Sequence, residues 1–224
     1  MGISQKTNPN ILLTEVCNMN CAYCFAKETM MAPPKKEMSL ADFERLLVFL
    51  KNNRQNEVRL MGGEPTLHSQ FKEIVDLALS RSLKVKIFTN GFFSEDLAHW
   101  LANRGKFLEF VFNITAGAMA PDTTRKKIER NLGVLKKHSR IIGSVTMDGA
   151  SFDGQKIVSF AKSNNIDLVR IGLANNRVGN TGDLVLDYKE IISVMMDFIS
   201  KLKDSGIAKI SLNCGFVPCM FTDD

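Results

Sequence analysis

The chain has 224 residues, 45% of them hydrophobic and 24% charged, with a formal net charge of +5; this is the mix of a soluble globular protein long enough to bury a sizeable core. Its Lys and Arg residues are scattered, as in Lys35-Lys36, Lys126-Lys127 and Lys136-Lys137, which reads as solvated helix faces rather than a nucleic-acid footprint. No apolar run is long enough to span a bilayer, and the first ten residues hold no apolar stretch; no membrane association and no secretory signal are expected, so the chain reads as cytoplasmic.

Short apolar runs alternate with helix-period segments. A strand is expected over 11–16. A helix follows, in which Leu40, Phe43, Leu46, Leu47 and Leu50 recur at helical spacing after Ser39 and Asp42, placed as in a capping box. Between them the loop 30–37 holds Pro33-Pro34. Further strands are expected over 57–61, 84–89, 108–115, 140–147 and 167–173, with amphipathic stretches between them. Runs such as Ile141-Ile142-Gly143-Ser144-Val145 suit strands buried on both faces. A polar, Gly-rich loop covers 175–183. Asp187 and Glu190 open the last long helix, whose buried face is marked by Ile191, Met195, Phe198 and Leu202, and a seventh strand covers 209–213.

Regular strand–helix alternation argues for parallel strands joined by right-handed crossovers. Six units and a seventh strand are fewer than a closed eight-stranded barrel needs, which leaves an open partial barrel or a doubly wound sheet. The expected class is α/β, a partial (β/α)6 TIM-like barrel of mainly parallel strands. One core domain is expected over 1–213, and 214–224 reads as the start of a C-terminal extension.

The sharpest chemical signal is Cys17-Asn18-Met19-Asn20-Cys21-Ala22-Tyr23-Cys24, directly after the first strand. A loop leaving the carboxyl end of a parallel strand is where such folds place their chemistry. In a reducing compartment clustered cysteines are better explained by metal than by disulfides. A free thiol has a pKa of about 8.5, so deprotonation at neutral pH costs roughly 2 kcal/mol, which iron or zinc offsets. A closed structural zinc site needs a fourth ligand, for which His68 or Cys214 would serve. A cubane cluster takes one ligand per iron, so three cysteines leave one iron open. Three ordinary core thiols are the remaining alternative.

The spacing Cys-x3-Cys-x2-Cys, with Tyr23 before the last Cys, resembles the signature of radical S-adenosylmethionine (SAM) enzymes. The resemblance implies that Cys17, Cys21 and Cys24 are the metal ligands and catalytic centre, holding a 4Fe-4S cluster whose open iron SAM chelates. It also implies reductive cleavage of SAM to a 5'-deoxyadenosyl radical, which abstracts hydrogen from a substrate. Gly62-Gly63-Glu64-Pro65 is similar to the family's GGEP motif, which hydrogen-bonds the SAM amino group; by itself it reads as a turn. Glycines there permit close approach to a ligand. Thr89 and Asn90 end the third strand, before Gly91, as a cofactor contact or a simple turn. Asn113 and Ser144 match positions that in the family meet the SAM ribose or carboxylate, and Leu173 matches one that packs on adenine. Arg125 and Arg130 are candidates for the SAM carboxylate, or solvated helix residues. His68 reads as a helix-entry residue, and His99 and His138 as structural. Cys214 and Cys219 are similar to the first cysteines of the auxiliary-cluster domains (SPASM or twitch type) of peptide-modifying members. The resemblance thus points to a peptide, protein or small-molecule substrate, a maturase-type reaction above all, and a reductant such as flavodoxin or ferredoxin. A glycyl-radical activating enzyme and a non-catalytic, zinc-stabilised binding module are the other readings.

Overall fold

A computed structural model describes residues 9–31, 33–34, 36–149, 152–174 and 188–212. Cys214, Cys219, the loop 175–183 and Asp187 lie outside them. Seven strands form one sheet: β1 (Asn10–Leu12), β2 (Glu57–Met61), β3 (Lys84–Thr89), β4 (Leu108–Asn113), β5 (Arg140–Met147), β6 (Leu168–Leu173) and β7 (Lys209–Leu212). Every neighbouring pair is parallel, and the order runs from β1 to β7 without reversal. Right-handed crossovers in an unreversed sheet leave all helices on one side. The doubly wound alternative therefore falls, and the open partial barrel stands. Among the described residues the sheet does not close, because β1 and β7 stay at opposite edges.

Among the described residues eight α-helices join the strands: α1 (Lys27–Met31), α2 (Leu40–Asn52), α3 (Phe71–Ser80), α4 (Glu95–Ala102), α5 (Ile114–Met119), α6 (Asp122–Leu135), α7 (Gly154–Ser163) and α8 (Tyr188–Asp204). None is long and apolar enough to cross a membrane. Ser39 caps α2 by accepting the Asp42 N–H at 3.1 Å, as its sequence position suggests. β4 stops at Asn113, two residues short of the expected end. The cause is local: Asn113 Oδ1 accepts the Ala116 N–H at 3.0 Å and caps α5, turning Ile114 and Thr115 into helix.

The strands are not buried on both faces. β3, β5 and β6 alternate buried and half-buried residues along their length. Val85, Ile87, Phe110, Phe112, Val145, Val169 and Ile171 belong to the core between sheet and helices. The opposite, open face carries charge. Arg59 pairs with Glu57 at 2.8 Å, Lys86 with Glu109 at 2.6 Å, and Arg140 with Glu109 at 3.1 Å. The Arg170 guanidinium lies 5.2 Å from the Phe88 ring centroid. A closed barrel would fill that face with apolar layers; here it carries paired charges.

The free edge of β1 is covered by a short return of the chain. Met38 N–H donates to Leu13 C=O at 2.8 Å and Glu15 N–H to Lys36 C=O at 3.0 Å. An exposed strand edge invites foreign pairing, and this segment blocks it.

Candidate active site

The cysteine loop leaves the carboxyl end of β1 and enters α1 through turns in which Cys24 N–H meets Cys21 C=O and Lys27 N–H meets Cys24 C=O, both at 3.2 Å. Cys17, Cys21 and Cys24 are free and half-buried. Burial pushes the Cys17 and Cys21 thiols above their ordinary pKa, with the Tyr23 hydroxyl acting the other way on Cys21. A raised pKa keeps these thiols protonated, so a metal that binds them must displace the proton. Among the described residues no three His, Cys, Asp or Glu side chains converge on one metal ion. His68 is also committed elsewhere. It is buried, with Nε2 2.9 Å from Met38 C=O and Nδ1 accepting the Gln70 N–H at 3.0 Å, so both ring nitrogens are used and it offers no fourth zinc ligand.

Behind the loop stands the Gly62-Gly63-Glu64-Pro65 segment. Its glycines do permit close approach, but to the chain's own backbone. A Cβ on Gly62 would lie 2.7 Å from Thr14 C=O, and one on Gly63 would lie 2.3 Å from Val16 C=O and 2.9 Å from Cys17 Cβ. Gly63 N–H donates to Thr14 C=O at 2.8 Å and Glu64 N–H to Val16 C=O at 2.7 Å. The end of β2 is thus welded to the segment that leads into Cys17. The Glu64 carboxylate turns inward and is fully buried. Oε1 accepts from the hydroxyls of Thr66 (2.7 Å) and Thr89 (2.8 Å), and Oε2 from Asn90 N–H (2.7 Å). Burial raises its pKa against these hydrogen bonds. Pro65 begins a buried 3-10 turn. In this arrangement Glu64, Pro65 and Thr89 support the site from behind, and none of their side chains reaches the cleft described next.

That cleft, of about 410 Å³, opens beside the cysteine loop. Asn18, Cys21 and Tyr23 form one wall, Phe92 a second, and Met119, Asp148 and Phe152 the rest. These residues come from the connections after β1, β3, β4 and β5, all at the carboxyl edge of the sheet, where parallel folds gather their ligands. Tyr23 donates its hydroxyl hydrogen to Asn113 Oδ1 at 2.9 Å. Burial drives the phenol pKa up, so the hydroxyl stays a donor. A second cleft, of about 480 Å³, lies at the amino ends of β5, β6 and β7 between Lys136, Arg140 and Lys209. It contains no candidate site residue.

Register places Asn113 beside Ser144, Ser144 beside Arg170, and Arg170 beside Ser211, so one polar row crosses the open face from β4 to β7. Leu173 is different. It shares the helix-facing side with Val169 and Ile171 and packs in the core. Strand alternation turns that side chain away from the open face, so an adenine contact there would fall to the backbone of Leu173. Arg125 pairs with Asp122 and Arg130 with Glu95 on the protein surface. Neither lines the cleft. His99 is an exposed residue of α4.

Asn18, Phe92, Asn131 and Arg170 were not singled out from the sequence. Two of them carried a signal. Asn131 falls in the apolar stripe of α6 with Ile128, Leu132 and Leu135, and Arg170 interrupts an apolar strand; a polar group in such a place requires a partner.

The profile of the Radical SAM superfamily matches residues 11–161. A GTP 3',8-cyclase of Microcystis aeruginosa is 35% identical over 124 residues, 53% of this chain and 36% of that protein. A SAM-dependent nucleotide dehydratase of Selenomonas ruminantium is 32% identical over 83 residues, 37% of this chain and 29% of that protein. The matched part is thus about a third of these relatives' length. Among solved structures, Streptococcus suis SuiB bound to precursor peptide SuiA aligns with TM-score 0.70 and 16% identity, over 91% of this chain and 48% of that one. Native anSMEcpe with bound AdoMet aligns with TM-score 0.65 and 17% identity, over 91% of this chain and 62% of that one. At those identities the likeness is one of fold.

Proposed function

The chain belongs to the radical SAM superfamily, and from that premise we propose that it is an enzyme that cleaves SAM reductively and removes a hydrogen atom from an organic substrate. The observation that carries this reading is the position of Cys17, Cys21 and Cys24, half-buried on the loop that leaves the carboxyl edge of β1, with Cys21 lining the 410 Å³ cleft. Three soft donors and an adjoining cavity of that size suit a 4Fe-4S cluster with one iron left for a ligand of SAM's dimensions. When bound, such a cluster supplies the single electron that breaks the sulfonium S–C bond and yields the 5'-deoxyadenosyl radical. An external reductant of the flavodoxin or ferredoxin class provides that electron.

The chain's own residues divide the remaining work. Cys17, Cys21 and Cys24 hold the metal. Gly62, Gly63 and Glu64 fix the loop that carries Cys17. Tyr23 holds that loop against Asn113, and the row Asn113, Ser144 and Arg170, on the open face and outside the cleft lining, offers in that order an amide, a hydroxyl and a guanidinium to polar groups of SAM. Leu173 contributes at most its backbone.

We infer a small-molecule substrate of the nucleotide class in place of the peptide expected from the resemblance. Relatives named for GTP and nucleotide chemistry support that reading. The peptide reading draws on fold neighbours such as SuiB with its precursor peptide.

The test is anaerobic reconstitution with iron and sulfide, reduction, addition of SAM and measurement of 5'-deoxyadenosine. Cys24→Ala should abolish both iron uptake and product. A protein that retains zinc, folds fully and gives no product would establish the binding-module alternative. Stimulation of 5'-deoxyadenosine formation by nucleoside triphosphates, and not by peptides, supports the substrate class; the reverse pattern restores the maturase reading.

A further inference from the structure

Residues 90–93, the turn after β3, are held by side chains at six of their main-chain N–H and C=O groups. Asn90 N–H donates to Glu64 Oε2 at 2.7 Å, Gly91 N–H to Thr89 Oγ1 at 2.9 Å and Phe92 N–H to Asn90 Oδ1 at 2.8 Å. The carbonyls of Gly91 and Phe93 accept from Asn131 Nδ2 at 3.0 and 2.9 Å, and that of Phe92 accepts from Asn18 Nδ2 at 2.5 Å. Surface turns ordinarily leave most such groups to water. Gly91 sits at φ +80°, and a Cβ there would lie 2.3 Å from the Phe112 ring, so the turn is also fixed sterically from beneath.

The turn and the cysteine loop are joined by a closed pair of amides. Asn90 Nδ2 donates to Asn18 Oδ1 at 2.9 Å, while Asn18 returns a bond to Phe92 C=O. Asn18 is the neighbour of Cys17. Asn131 is the remote member of this network. It lies on α6, is 2% exposed, and shares a stripe with Ile128 and Leu132. A buried amide in an apolar stripe is costlier than leucine unless its bonds are needed. Its bonds go to the two carbonyls that bracket Phe92, a wall of the cleft.

We propose that Asn131 is a positioning residue: by holding the carbonyls of Gly91 and Phe93 it sets a turn that, through Asn90 and Asn18, locks the Cys17–Cys21 segment and presents Phe92 to the cleft. Its consequence for catalysis rests on the reading of the three cysteines as cluster ligands; its mechanical part does not.

The experiment uses the full chain with Asn131→Asp, which reverses the donors, Asn131→Leu, which keeps the stripe packed, and Lys126→Ala as an exposed control on α6. The first readout needs no cofactor: thiol alkylation rates under anaerobic reducing conditions, resolved for each cysteine by mass spectrometry. Both Asn131 variants should alkylate Cys17 and Cys21 about tenfold faster than wild type, the factor expected for one or two lost buried hydrogen bonds. The control should not change. The second readout is the electron paramagnetic resonance spectrum of the reduced, reconstituted protein. The SAM-induced change in that spectrum should need about tenfold more SAM in both variants. Alkylation rates and spectra within about twofold of wild type, even with lowered stability, would overturn the proposal and leave Asn131 a packing residue. If neither variant folds, Asn18→Ala, at an exposed position, must release Cys17 and Cys21 to the same extent, and failure to do so overturns it equally. If wild type takes up no iron, the cluster reading falls and alkylation alone decides the lock.

Discussion

The Tyr23 hydroxyl donates to Asn113 Oδ1 at 2.9 Å, and the same oxygen accepts the Ala116 N–H at 3.0 Å. One amide oxygen thus ties the cysteine loop, the end of β4 and the start of α5 into a single joint, 90 residues apart along the chain.

Tyr23→Phe removes only the donor, since the ring stays packed. The loss of a net hydrogen bond should lower unfolding stability by about 1 kcal/mol. Iron uptake should persist, while SAM affinity falls about three- to tenfold as the loop loosens. Asn113→Ala should cost about 1 kcal/mol more, because α5 loses its cap as well. Calorimetric SAM titration of the reconstituted proteins, beside urea unfolding of both variants, checks the two effects separately. A tyrosine variant as tight as wild type would show that the joint has no part in binding.

Gly63→Ala places a methyl group 2.3 Å from Val16 C=O and 2.9 Å from Cys17 Cβ. Backbone cannot move aside as a flexible side chain would. The variant should lose about 1–3 kcal/mol of stability or displace Cys17. Iron bound per chain after reconstitution should fall well below wild type while circular dichroism stays α/β. Full iron loading would mean that the strand ends separate without cost.

Leu173→Ala and Ser144→Ala should part company. Leu173 is a core side chain, so its truncation should cost about 2–5 kcal/mol of stability and leave the SAM affinity of the folded fraction unchanged. Ser144 is half-buried on the open face beside Asn113. Its truncation should barely alter stability and should weaken SAM about fivefold, one neutral hydrogen bond. The opposite pattern would return Leu173 to the adenine contact.

Acid should weaken one clamp in particular. Glu37 accepts the Ser69 hydroxyl at 2.6 Å, the Ser69 N–H at 3.1 Å and the Thr14 hydroxyl at 3.4 Å. These bonds, that from the Ser69 hydroxyl foremost, hold its carboxyl below the ordinary glutamate range. A lowered folded-state pKa adds stability above the unfolded value of about 4.3, and that stability is lost as pH falls through the folded value. Urea midpoints of wild type and Glu37→Gln should therefore differ at neutral pH and converge in acid. Parallel curves across the whole range would show that the clamp carries no linked stability.

Much of the frame was legible beforehand because it depends on local order. The seven apolar runs became strands, since alternation with amphipathic helices leaves few ways to bury both. The apparent two-sided burial misled because Ile141-Ile142-Gly143-Ser144-Val145 looks apolar throughout. Only the open barrel shows that Ile142 and Ser144 share the face that carries paired charges. The expected end of β4 was lost to a capping bond that Asn113 makes with a backbone three residues on.

What the sequence alone determined is chemical identity and chain order: three thiols on one loop, a glycine pair after the second strand, polar residues ending later strands. Those properties belong to covalent spacing and survive without a fold. What only the tertiary structure decided is direction and partnership. Glu64 turns inward, Leu173 turns to the helices, and Asn18, Asn90 and Asn131 meet from three distant segments. Strand register and helix packing set such meetings, and spacing along a chain cannot specify which side chains fall within hydrogen-bonding distance once the sheet is assembled.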